Sequence, residues 1–138
     1  MELEHNITEW IPQRPPFVFI DTIVEMNEAS AVTRFTVNDD CVLVNDGQLG
    51  LAGLMEHAAQ TCAARAGWIQ RQHSQQVKMG YIGAVKQMET SRLPRVGETL
   101  TTEAHVLQEV MNISLVECTT RVNDEVIASA MFKLATID

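Results

Sequence analysis

The stretch GLAGLMEHAAQTCAARAG, residues 50–67, consists mostly of small and apolar side chains, yet it carries a carboxylate beside an imidazole, Glu56 and His57. Leu51, Leu54, Met55, Ala58, Ala59, Cys62, Ala63 and Ala66 recur at helical spacing, and the run from Gly50 to Gln72 is too long for a strand. It predicts the one long helix of the chain. Gly53, Ala58, Ala59, Ala63, Ala64 and Ala66 keep that helix thin, so that a strongly curved sheet can approach its backbone.

Upstream, Asn6 with Glu9 three residues later reads as the capping box of a short helical turn, which Pro12, Pro15 and Pro16 stop. FVFIDTIVEM (17–26) and AVTRFTV (31–37) read as two antiparallel strands, and NDDCVLVNDGQLG (38–50) as a loop leading into the helix. Beyond the polar HSQQ link, four more strands are expected: KMGYIGAVKQME (78–89), GETLTTEAHVLQEV (97–110), ISLVECTTRV (113–122) and VIASAMFKLATI (126–137). Met111-Asn112 and Asn123-Asp124 fit hairpin turns.

One helix among some six antiparallel strands is an α+β pattern, and the sheet must bury its apolar face on that helix. The expectation is a hotdog fold, as a single domain over residues 1–138. A helix wrapped on one side needs cover on the other, so fold-level analogy suggests a homodimer or a dimer of dimers.

Composition narrows the classes of function. The chain is 46% hydrophobic and 20% charged, a globular composition, and no apolar run approaches the roughly 18 residues of a membrane helix. The start, MELEHNITEW, lacks the basic and apolar regions of a secretory signal, which makes the cytoplasm the expected location. A net charge of -8 with scattered Lys and Arg argues against nucleic acid as a partner. Cys41, Cys62 and Cys118 are odd in number and form no CxxC pair, so neither a disulfide framework nor a zinc site is expected and the thiols should be reduced and mostly buried. No motif for another metal or for a nucleotide appears, so neither is expected.

Three stretches in order resemble the 3-hydroxyacyl-[acyl-carrier-protein] dehydratases of hotdog type over nearly the whole chain. IPQRPPFVFIDTIVE (11–25) is similar to that family's proline-bounded entry into its first strand, with Asp21 in place but Gln13 where the family usually has His. GLMEHAAQ (53–60) resembles its central helix, in which a catalytic carboxylate is followed four residues later by Gln, here Glu56 and Gln60. YIGAVKQMETSRLPRVGETL (81–100) resembles its segment of a glycine, a basic pair and a turn, here Pro94, Gly97 and Glu98. The loop CVLVNDGQLGLAG (41–53) departs from the family, because it lacks the His-Phe-Pro stretch whose imidazole takes the substrate α-proton. The altered loop is similar to that of the branch found in aryl polyene and flexirubin-type pigment clusters.

The resemblance implies dehydration of a 3-hydroxyacyl thioester, bound to an acyl carrier protein or coenzyme A, in fatty acid or polyene-type biosynthesis. No cofactor is implied beyond the phosphopantetheine arm that the substrate brings. Glu56 would be the acid, since a carboxylate among apolar neighbours favours its protonated form and can deliver a proton near neutral pH. Gln60, one turn on, shares its face and can orient it. The N–H groups of Gly53, and second of Gly50, can polarise the thioester carbonyl at the helix start, although glycine there also simply permits the turn. Lys86, Arg92 and Arg95 form a local basic cluster that can receive an acidic carrier protein or be an ordinary solvated loop.

Other readings stay open. Glu56 can pair with Arg65 or another cation, or activate water as the base of a hotdog acyl thioesterase. The chain can also be a silent acyl-binding or partner subunit of a dehydratase, which the missing imidazole permits. His57 points about 100° away from Glu56 around the helix and reads as structural. His105 falls in a strand, His5 and His73 in terminus and loop, and Asn45 with Asp46 reads as turn chemistry, so none replaces the missing base from sequence alone.

Overall fold

The structure, a computed structural model, describes residues 7–72 and 80–136. Alternating burial builds its strands. β1 (Thr22–Met26) and β2 (Ser30–Thr36) are followed by a small ribbon, β3 (Val44–Asn45) and β4 (Gln48–Leu49), and then by α1 (Leu51–Gln72). β5 (Gly80–Thr90), β6 (Thr99–Val110), β7 (Ile113–Val122) and β8 (Glu125–Thr136) complete the order. Six of these strands form one antiparallel sheet in the order β1-β2-β6-β7-β8-β5, and α1 lies on its concave face. This is the hotdog fold expected from the sequence.

On β2, Ala31, Thr33 and Phe35 face inward, and on β6 Leu100, Thr102 and Ala104 do so, the period of two that one buried face demands. Register shifts on β1, β5, β6 and β8 mark bulges, which bend the sheet around the helix. Ala58 and Cys62 pack against Ala104, Val116, Cys118, Ala130 and Phe132, so small residues on both sides allow a close approach and Val116 and Phe132 fill the remaining space. Burying a side chain such as Val116 or Phe132 stabilises the fold by roughly 1.5–3 kcal/mol. Cys62 and Cys118 are buried free thiols with their sulfurs 3.4 Å apart, and Cys41 is a half-buried free thiol. Two polar pairs also lie on the inner face, Thr33 with Thr61 and Thr102 with Thr120, each closed by a 2.7 Å hydrogen bond.

Two expectations need adjustment, and one residue went unnoticed. The first strand is shorter than the 17–26 run, because the Phe17 carbonyl and both backbone groups of Phe19 bond to side chains of α1, and bonding to β2 begins only with the Asp21 N–H on the Arg34 carbonyl. The expected loop 38–50 contains the β3–β4 hairpin, whose turn residues Asp46 and Gly47 have φ of 54° and 76°, the left-handed pair of a tight hairpin. Gly67 drew no attention in the sequence, yet a Cβ there would collide with the Trp10 carbonyl oxygen. Glycine at that position lets the Ile7–Glu9 turn and its continuation dock on α1. The two expected hairpin turns are present, with Met111, Asn123 and Asp124 in the left-handed region. Asn6 and the HSQQ link lie outside the described residues. No described helix is long and apolar enough to cross a membrane.

Within the sheet, β5 pairs only with β8 and β1 only with β2, so the described chain has two open edges. The β5 edge is the longer, at 11 residues against 5.

Candidate active site

The start of α1 sets the site. Gly50 donates its N–H to Leu43 at 3.1 Å and accepts the Leu54 N–H through its carbonyl at 3.1 Å. The next N–H groups, of Leu51, Ala52 and Gly53, belong to a helical first turn, which has no intrahelical partners. Gly50 therefore has its N–H committed, whereas Gly53 lies within that unpartnered turn. Gly53 has a packing role too, since a Cβ there would overlap the buried Leu49 side chain.

One turn further on stands Glu56, which is half-buried. Its Oε2 accepts a 2.8 Å hydrogen bond from Gln60 Nε2, the i,i+4 pairing that the helix period allows. Gln60 is fully buried and saturated: Nε2 also donates to the Phe17 carbonyl at 2.7 Å, and Oε1 accepts the Phe19 N–H at 2.7 Å. These neighbours fix the amide orientation, because a flipped Gln60 would set its oxygen against two acceptors and its nitrogen against a donor. Glu56 Oε1 has no protein partner among the described residues. Arg65, considered as a partner for Glu56, instead donates to the Glu28 carbonyl and lies 3.7 Å from Glu109.

His57 faces elsewhere and is fully buried. Its Nδ1 lies 2.7 Å from the Phe19 carbonyl oxygen, which can only accept, so Nδ1 carries the proton. The ring stacks on Phe35 with centroids 5.9 Å apart, and Nε2 is buried with no hydrogen-bond partner. Burial lowers the imidazole pKa to about 4, against the opposing effect of the Phe19 bond. His57 is neutral at ordinary pH. Together His57 and Gln60 hold both the C=O and the N–H of Phe19, and this explains why the chain around Phe19 stays out of the sheet.

The other expected residues scatter. Arg92 makes a two-pronged ion pair with Glu98 at 2.9 and 3.1 Å and comes within 3.5 Å of Glu125. The Arg92 hydrogen bonds hold the Glu98 carboxyl below its ordinary pKa, and Glu98 also accepts the Arg95 backbone N–H at 2.7 Å. Arg92 therefore braces the turn into β6, while Lys86 and Arg95 are exposed, the Arg95 charge adding to the pull on Glu98. Asp46 sits exposed on the β3–β4 turn, and His105 is exposed on β6. Asp21 accepts the Thr36 N–H at 2.7 Å, a bond that tethers β1 to the end of β2. Gln13 Oε1 is buried without a partner. His5 and His73 lie outside the described residues.

Sequence reasoning found the Glu56–Gln60 pair but missed the Phe17–Phe19 backbone that fixes it. Its only signal was two phenylalanines after a double proline. A cleft of about 10 Å³ lies between Leu54, Met55 and Ala58 of α1 and Met88 and Phe132 of the sheet. It has room for about one water molecule.

Comparison with known proteins bears on the family and the fold. Residues 5–137 match the ApeP-like family, described as ApeP dehydratase. The 3-hydroxyacyl-[acyl-carrier-protein] dehydratase FabZ of Levilactobacillus brevis is 27% identical over 131 residues, which cover 91% of this chain and 86% of that protein. A chain of the dehydratase heterocomplex ApeI:P from Xenorhabdus doucetiae superposes with a TM-score of 0.90 at 15% identity, covering 96% of this chain and 91% of its own. A hypothetical thioesterase from Streptococcus pneumoniae, solved with coenzyme A, reaches a TM-score of 0.68 at 11% identity over 83% of this chain and 84% of its own, a likeness of fold alone. The central helix with its six-stranded antiparallel sheet and the match over nearly the whole chain agree: this protein belongs to the ApeP-like dehydratases, a hotdog family.

Proposed function

We propose that the chain is one subunit of a dehydratase acting on 3-hydroxyacyl thioesters, with Glu56 as the acid. The observation that carries this reading is Glu56 held by Gln60 through one oxygen, with the other left open. In the reaction, the protonated carboxyl gives its hydrogen to the leaving 3-hydroxyl, water departs, and a base takes the α-proton as the carbon–carbon double bond forms. The Gly53 N–H, in the unpartnered first turn of α1, polarises the thioester carbonyl and stabilises the charge that develops on its oxygen.

The base comes from a partner hotdog subunit joined along the open β5 edge. Three points support this: the loop before α1 carries no imidazole, His57 already bonds Phe19, and a similar chain belongs to a heterocomplex. Lys86 and Arg95 receive the acidic carrier protein that brings the acyl chain, with Arg92 bracing the turn between them.

The test is mass spectrometry of a 3-hydroxyacyl-carrier-protein thioester incubated with the chain, alone and with an ApeI-like partner, in wild-type and Glu56→Gln forms. Loss of one water, slowed by about 10²–10⁴ in the variant, is the expected result. Release of free acid would replace dehydration by thioester hydrolysis. Dehydration by the pair that is indifferent to Glu56→Gln would make the chain a silent partner subunit.

A further inference from the structure

His57 is a costly residue in an apolar place, and the Glu56 reading above does not use it. Its ring is fully buried, stacks on Phe35, makes one side-chain hydrogen bond and leaves Nε2 without a partner. A leucine of similar size would fill the space without burying an unpaired nitrogen. What the imidazole supplies is one directed donor, Nδ1–H, aimed at the Phe19 carbonyl.

We infer that His57 is a positioning residue for Glu56, acting through the Phe17–Phe19 backbone and Gln60, and that Glu56 Oε1 is the oxygen that transfers the proton. The inference rests on the reading of Glu56 as the acid. Each link has a fixed direction. The His57 donor anchors the Phe19 carbonyl, and the anchored residue turns its N–H to Gln60 Oε1. Gln60 must then present Nε2 to its two acceptors, the Phe17 carbonyl and Glu56 Oε2. Because Nε2 donates to Oε2, a proton on the carboxyl belongs on Oε1. Phe17–Asp21 has no ladder partner for most of its length, so side chains of α1 are what hold it against the helix. Without the His57 bond, Phe19 is held only at its N–H, and the orientation of Gln60 loosens with it.

The experiment compares His57→Leu, His57→Asn and His57→Gln in the protein with whatever partner its dehydration requires. The Asn amide nitrogen stands as many bonds from Cα as Nδ1 does and can restore the donor; the Gln amide stands one bond further out. The expected result is a fall in kcat of about tenfold for Leu and Gln with KM within about twofold, and recovery of most of that loss in Asn, as for a misplaced but intact catalytic group. Equal kcat in Asn and Gln, or a change in KM alone, overturns the inference. Should the Leu variant fail to fold, the two amide variants decide, since both are polar and close in size.

Failure of the underlying reading looks different, because wild-type protein would then form no enoyl product, or would form it at a rate that Glu56→Gln leaves unchanged. In that case hydrogen exchange at the Gln60 side-chain amide, followed by NMR, still tests the linkage. Exchange about tenfold faster in Gln than in Asn supports it, and identical exchange overturns it.

Discussion

Two surfaces cover α1, and they do so by different chemistry. The sheet covers it mainly by shape, with Ala58 and Cys62 set among Ala104, Val116, Cys118, Ala130 and Phe132. The amino-terminal segment covers it largely through directed contacts: His57 and Gln60 hold Phe19, Gly67 admits the Trp10 carbonyl, and Arg71 lies 5.6 Å over the Trp10 ring. A strand satisfies its backbone in a ladder and needs only apolar side chains from the helix. A segment outside the ladder needs donors and acceptors from the helix itself. The difference teaches that His57 and Gln60, though buried, are polar because of the segment they serve, and Glu56 bonds Gln60 on that side.

Acid should break the directed side first. The His57 pKa falls from 6.5 to about 4 on folding, so the unfolded chain binds the proton more readily. Stability is therefore complete above about pH 6.5 and is lost as pH falls toward 4, by about 3 kcal/mol in total at 1.36 kcal/mol per unit. Urea unfolding at pH 7, 5.5 and 4 measures this slope, and His57→Asn should flatten it. A slope unchanged in the variant would assign the acid sensitivity to other groups.

Gly67→Ala is the next largest effect. The added Cβ meets backbone, which cannot swing aside as a side chain can, so a loss of about 2–3 kcal/mol is expected in thermal or urea unfolding. Ala63→Gly on the same helix provides the contrast, at about 1 kcal/mol from helix propensity. A Gly67→Ala loss no greater than that would mean the Trp10 turn docks loosely.

The smallest effect sharpens the comparison on the sheet side, where the shortest directed contact from the helix is Thr61 to Thr33. Thr61→Val leaves the buried Thr33 hydroxyl without its 2.7 Å partner and should cost about 1–2 kcal/mol. Thr33→Val combined with Thr61→Val removes both hydroxyls and should recover part of that loss. A double variant as unstable as the sum of the singles would show that the two hydroxyls act independently.

Much of the fold was legible because its signals are local. The helical spacing from Gly50 onward and the alternation of TEAHV or ECTTRV depend on residues two to four apart, and the Asn123-Asp124 turn depends on two neighbours. Phe17–Asp21 was misread as strand because FVFID has strand composition, while what sets its conformation lies on a helix about 40 residues later. The basic cluster was legible as charge but not as function, since only the folded turn brings Arg92 against Glu98 and Glu125.

The sequence by itself determined that α1 forms, that it is thin, and that Glu56 and Gln60 share one face, because the helix period places i and i+4 together whatever surrounds them. Only the tertiary structure decided which way the Gln60 amide points, which Glu56 oxygen is held, and that His57 meets Phe19. Those contacts span separations of 41 and 38 residues. A hydrogen bond's direction depends on a partner that local periodicity cannot name, and chain folding alone delivers that partner.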